Sequence, residues 1–157
     1  MKKVSLPLNG GCHCGALRFE ISAAPLTVYC CHCTNCQKIT TSAFAISMII
    51  PEAAFVFTKG EAKRIEWAAD SGAERYGWFC GECGGRIAHG QTPSNGFLSL
   101  RAGTLDNSRW LKPVGHIWTK SAQSWMKFAE DDLICETQPT DYGPYAARFR
   151  AFGLFDA

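Results

Sequence analysis

Residues 16–23, ALRFEISA, alternate apolar and polar side chains, the pattern of a strand with one buried face. SAFAISMIIP (42–51) predicts a second strand, ended by Pro51. AFVFTKG (54–60) alternates again and closes in a turn at Gly60. RIEWAAD (64–70) and ERYGWFC (74–80) flank an Asp70–Gly72 turn and predict a hairpin that runs straight into Cys80. GFLSLRAGTLD (96–106) predicts a strand broken at Gly103, and HIWTK (116–120) a short extended piece. Helix signals are few. CTNCQKITTS (33–42) allows one turn after Cys33, with Thr34 or Asn35 as its cap. QSWMKFAED (123–131) reads as a short helix, or as Trp125 and Phe128 covering an edge. Residues 137–148 read as irregular, and the three phenylalanines of RFRAFGLFDA (148–157) are expected to pack, or to line a pocket or a dimer contact. The sum is a mainly β fold of several short, coiled antiparallel sheets with little helix.

Composition narrows the class. Apolar residues make up 46% and charged residues 19%, a globular balance rather than a disordered one. The 157 residues suit one domain, 1–157, long enough to bury roughly 70% of the surface of the unfolded chain. Two lysines open the chain with no apolar run behind them, so a signal peptide is not expected. No run approaches membrane-span length. The expected setting is the cytoplasm, where thiols stay reduced.

Nine cysteines then need a use: Cys12, Cys14, Cys30, Cys31, Cys33, Cys36, Cys80, Cys83 and Cys135. Their odd number, the reducing setting and the C-x-C gaps argue against a disulfide framework. Seven fall into clusters: Cys12 and Cys14; Cys31, Cys33 and Cys36; Cys80 and Cys83. Zinc takes four ligands, and a C-x-x-C turn supplies two from one loop. Around Cys80, the glycines Gly81, Gly84 and Gly85 let the backbone wrap a metal. Seven divides as four plus three, a closed structural site and an open one. The economical grouping joins Cys12 and Cys14 with Cys80 and Cys83 and leaves Cys31, Cys33 and Cys36 as the open set. Spacing alone also permits shared or mixed sites, or a second closed site completed by a histidine or Cys30. His13 and His32 each stand mid-way in a C-x-C, and in an extended segment point away from a metal held by their neighbours. Cys30 points opposite Cys31 for the same reason and reads as a buried thiol. Cys135 reads as a small core residue. Seven thiolates and two zinc ions would move the formal charge from +2 to −1, which speaks against a nucleic-acid finger.

GGCHCGALRFE, CHCTNCQK, FCGECGGRI, LRAGTLD and HIWTKSAQSW, in that order, resemble the glutathione-dependent formaldehyde-activating enzyme family, which includes proteins similar to centromere protein V. The resemblance spans residues 10–125. It implies coiled β-sheets of the type described as tents, pinned by zinc. It implies a structural zinc on Cys12, Cys14, Cys80 and Cys83, and a second, catalytic zinc with an open position on Cys31, Cys33 and Cys36; so exposed a site is expected to be labile. It implies a carbon–sulfur lyase that joins glutathione to formaldehyde. Glutathione carries carboxylates, so its pocket should offer cations; Lys38 is the best placed by sequence, with Arg86 and Arg101 behind it. His32 is a candidate proton carrier. The five tryptophans read as core. Two rival readings remain: a non-catalytic zinc-binding β module for a protein or nucleic-acid partner, and a methionine-sulfoxide-reductase-like redox protein using Cys30 or Cys135.

Overall fold

The computed structural model describes residues 3–69 and 71–156; Asp70, expected in the hairpin turn, lies outside the described residues. The strands are β1 (Leu8–Gly11), β2 (Arg18–Ile21), β3 (Thr27–Cys31), β4 (Ala45–Pro51), β5 (Phe55–Lys59) and β6 (Lys63–Ala68), followed by β7 (Glu74–Phe79), β8 (Arg86–Thr92), β9 (Phe97–Arg101), β10 (Gly115–Ile117) and β11 (Leu133–Cys135). Two α-helices, α1 (Thr34–Thr40) and α2 (Gly143–Ala151), complete the described elements together with three short 3-10 turns. The mainly β expectation holds. No helix among the described residues is long and apolar enough to cross a membrane.

A three-stranded sheet, β1-β2-β5, packs beside an eight-stranded one, β11-β10-β3-β4-β9-β8-β7-β6. Alternation explains the small sheet: Phe19 and Ile21 of β2 point inward and are almost fully buried. Phe55 bridges the sheets, 5.4 Å from Phe19 and stacked on Trp78 of β7 at 6.0 Å. Gly10 has to be glycine, because a Cβ there would stand 2.4 Å from the Phe19 ring. In the large sheet, β3 is buried along its whole length, so it carries a continuous apolar run rather than an alternation. That run, TVYCC, merges with the cysteine cluster and was not predicted as a strand; β1, β8 and β11 were missed as well. β10 runs parallel to both β3 and β11, whereas the other pairings are antiparallel.

The segments expected as helix and coil change places. Residues 123–131 form turns and coil, with Trp125 67% exposed. α2 falls inside the stretch expected to be irregular. Pro144 sits in its first turn, where the missing N–H costs nothing, and Tyr145 and Phe149 bury one face against β3. The tail phenylalanines do pack: Phe149 is buried, and Phe152 and Phe155 close around it.

Candidate metal centres

The two loops that carry the paired cysteines are built alike. The Cys12 N–H donates to the Leu17 carbonyl, and the Leu17 N–H returns to Cys12 Sγ at 3.2 Å. The Cys80 N–H donates to Gly85 O and the Gly84 N–H to Cys80 O, with Gly84 at φ +73°, a region that favours glycine. These turns bring Cys12, Cys14, Cys80 and Cys83 together, all four Sγ atoms within 4.8 Å of one another. Cys12 and Cys14 sulfurs are 3.6 Å apart, Cys14 and Cys80 sulfurs 3.8 Å. Four sulfurs at about 2.3 Å from a tetrahedral ion stand about 3.8 Å from each other, so this quartet fits zinc. Burial opposes ionisation of Cys12, but hydrogen bonds from the Leu17 N–H and the three neighbouring thiols outweigh it and bring Cys12 down to about 6. All nine cysteines are unbridged.

The second cluster stands where β3 runs into α1. Cys31 ends the strand, and Cys33 is the N-cap of α1, its Sγ accepting from the Cys36 N–H at 3.3 Å. The cap is therefore Cys33 rather than Thr34 or Asn35: a thiolate takes the role that a hydroxyl or amide usually plays. One helical turn returns Cys36 to the same side, and the three sulfurs lie within 4.8 Å of one another. No histidine, carboxylate or further cysteine joins them among the described residues. Hydrogen bonding from Cys31, then Cys36, draws Cys33 down to about 2, and the contacts with Cys33 and Cys36 push Cys31 far up. The trio thus accepts one thiolate readily and resists a third unless a cation stands among them. The donor set fits a metal ion with three protein ligands.

Arg101 of β9 reaches this cluster, with Nη1 3.8 Å from Cys36 Sγ and 3.5 Å from Ser47 Oγ. Arg86 of β8 lies over the Trp67 ring of β6, half-buried. Lys38, the cation best placed by sequence, is exposed. It stands about 200° around α1 from Cys36 and lines a shallow hollow with Gln37, Ser42 and Trp125 instead.

His32 is not on the metal side. It is fully buried on the opposite side of the extended segment, between Phe44 and Phe128. Its Nε2 is 2.8 Å from His116 Nδ1, and His116 Nε2 is 3.3 Å from the Asp132 carboxylate. With Asp132 ionised, this chain assigns the protons: His116 donates to Asp132 and His32 donates to His116. Burial, then the nearby His116, holds His32 down to about 4, so it is neutral at pH 7 and unsuited to deliver a proton. Gln37 Nε2 and Ser121 Oγ donate to the His32 carbonyl and fix the backbone between Cys31 and Cys33. Sequence reasoning missed His116, Asp132 and Ser121, which approach only through the fold, from more than 80 residues away. His13 is exposed. Cys30 is buried and pushed up to about 12 by desolvation and by Asp132, an inert thiol. Cys135 packs half-buried against the core. Cys30 offers no reactive sulfur for the redox reading, and Cys135 stands outside both cysteine groups.

Comparison with known proteins gives a family. Residues 7–121 match the family model described as glutathione-dependent formaldehyde-activating enzyme. A Penicillium rubens protein, provisionally named as such an enzyme, is 25% identical over 149 residues, 91% of this chain and 71% of its own. The crystal structure of a Rhodobacter sphaeroides protein from a structural genomics programme covers 68% of this chain and 92% of its own at a TM-score of 0.52 and 19% identity, a likeness of fold.

Proposed function

The chain belongs to the glutathione-dependent formaldehyde-activating enzyme family, and on that footing we propose that it is a zinc-dependent carbon–sulfur lyase acting on glutathione or a similar thiol adduct in the cytoplasm. In the synthetic direction the thiol sulfur of glutathione bonds to the carbon of formaldehyde. The thiol gives up its proton and the former carbonyl oxygen gains one, yielding S-hydroxymethylglutathione; the reverse breaks the same bond. The supporting observation is the trio Cys31, Cys33 and Cys36, three gathered thiols without a fourth protein donor among the described residues.

Cys31, Cys33 and Cys36 would hold the zinc ion, which would supply a Lewis acid that favours the ionised form of the substrate thiol near neutral pH. The chain's own residues set the stage. The Cys33 cap and the turn of α1 fix the three donors as one rigid unit. His32, tied to His116 and Asp132, holds the strand end from behind. Arg101 places a positive charge beside Cys36 and balances the excess negative charge of three thiolates. The quartet, in this reading, binds a structural zinc that ties residues 12–14 to residues 80–83.

The test is exchange spectroscopy with 13C-formaldehyde and glutathione. The protein should speed interconversion of the adduct and free aldehyde, and Cys33→Ser should abolish the effect. Equal rates with and without protein would instead support the non-catalytic module.

A further inference from the structure

The large sheet presents one polar face, and register shows which residues share it. Tyr29 faces Ser47, and Cys31 faces Ala45, across β3 and β4. Ser47 faces Arg101, and Ser99 faces His89. His89 in turn faces Gly77. Side chains opposite one another in a ladder point to the same side, so a continuous stripe leads from Cys31 across β4, β9 and β8 to β7. Gly77 supplies no side chain of its own there. An added Cβ would stand 2.3 Å from Arg86 Nη1, so the Arg86 guanidinium fills that space beside His89.

This stripe is unfinished. Five buried side-chain polar atoms have no hydrogen-bond partner among the described residues, and four lie along it: Arg101 Nε, Ser99 Oγ, His89 Nδ1 and Arg86 Nη1. Arg101 and Ser99 are 7% and 9% exposed. No carboxylate pairs with Arg75, Arg86 or Arg101 among the described residues. Arg101 already faces the thiols of the trio, but Arg86 has no anionic partner among the described residues, and buried donors left open cost stability unless an acceptor completes them. His89 supports the same view, since burial and then the fields of Arg101, Arg75 and Arg86 hold it neutral, pushed down to about 3. Exposure rises along the stripe, from Arg101 and Ser99, which are buried, to His89, Arg86 and Arg75, which are half-buried.

We propose that Arg86, His89, Ser99 and Arg101 form an anion subsite for a carboxylate of the thiol substrate. This rests on the thiol-adduct reading above. Arg101 Nη1 stands 3.8 Å from Cys36 Sγ, and β8, which carries Arg86, lies one strand spacing, roughly 5 Å, beyond β9, a short span that a small peptide with its thiol on the middle residue can bridge. A thiol of that size can place its sulfur at the trio and a carboxylate between Arg101 and Arg86. A guanidinium takes a carboxylate with two parallel hydrogen bonds, so charge and shape are both recognised.

The experiment uses the protein with cobalt at its metal centres, titrated with glutathione, glutathione dimethyl ester and 2-mercaptoethanol, and read by the cobalt bands. Glutathione should bind about 10–100-fold more tightly than its ester. Arg86→Gln should narrow that gap to about threefold and leave 2-mercaptoethanol unchanged. Equal affinity of acid and ester for the unmodified protein overturns the subsite, and so does an Arg86→Gln loss shared by all three ligands. If no thiol moves the bands, the lyase reading fails alone. Calorimetry with S-methylglutathione and its dimethyl ester, which need no free thiol, then decides the subsite: a preference for the acid supports it, and equal or absent binding overturns it.

Discussion

Replacing Arg101 with methionine separates charge from packing at the open cluster. Arg101 Nη1 is 3.8 Å from Cys36 Sγ, and the side chain is 7% exposed. A divalent ion with three thiolates carries a net charge of −1, so the guanidinium faces one unit of opposite charge. At 3.8 Å and an effective dielectric of about 20, that attraction amounts to about 4 kcal/mol. Allowing for relaxation and residual water, Arg101→Met should weaken metal binding at the trio by about 2–4 kcal/mol, roughly 30–1,000-fold. Fold stability should hold or rise, because methionine keeps an apolar stem of similar length and removes a buried Nε without a partner. Chelator competition on the cobalt-loaded protein, followed by the bands of each centre, reads the first effect; a urea midpoint reads the second. Trio affinity unchanged within about threefold would refute the electrostatic argument. Equal weakening of both centres would trace the loss to damaged folding.

Cys80→Ser should prevent folding, since a structural zinc contributes about 10–16 kcal/mol against a total domain stability of about 5–15 kcal/mol. Cys33→Ser should stay folded with one metal per chain; circular dichroism with metal analysis distinguishes the two, and a folded Cys80→Ser would contradict the quartet's role. Gly10→Ala places a Cβ 2.4 Å from Phe19 and 2.5 Å from the Thr104 carbonyl, an overpacking of about 1–3 kcal/mol. Its Tm should fall by roughly 2–12 °C, and an unchanged Tm would show that β1 and β2 separate freely. His89 has its folded pKa pushed down to about 3 by burial and the nearby arginines. The unfolded chain binds that proton near pH 6.5, so the contribution is full above pH 6.5 and declines towards pH 3. Between pH 6.5 and 5 the loss should reach about 2 kcal/mol by urea unfolding. His89→Gln should remove that part of the slope, and an identical slope in the variant would contradict the burial argument.

Alternation made β2, β4, β5, β6, β7 and β9 legible, because each carries side chains of different character on its two faces. β3 was hidden by total burial, and β8 by its glycine, its polar stripe and the bulge beside Phe79. α2 was hidden because its glycine and proline read as loop, although Pro144 at a first turn is a start signal. The cysteine clusters announced themselves by spacing, and the chain brings together the economical grouping of four and three. Which cation serves the trio could not be read locally. Lys38 lies two residues from Cys36, on the far side of a helix, while Arg101 lies 65 residues away and across one strand pairing.

Cobalt stoichiometry followed by titration with glutathione tests the account most directly. Two ions per chain should bind, and glutathione should shift the bands of the trio's ion while those of the quartet's ion stay fixed. One ion per chain, or two ions that both ignore the added thiol, would contradict a closed quartet beside an open trio.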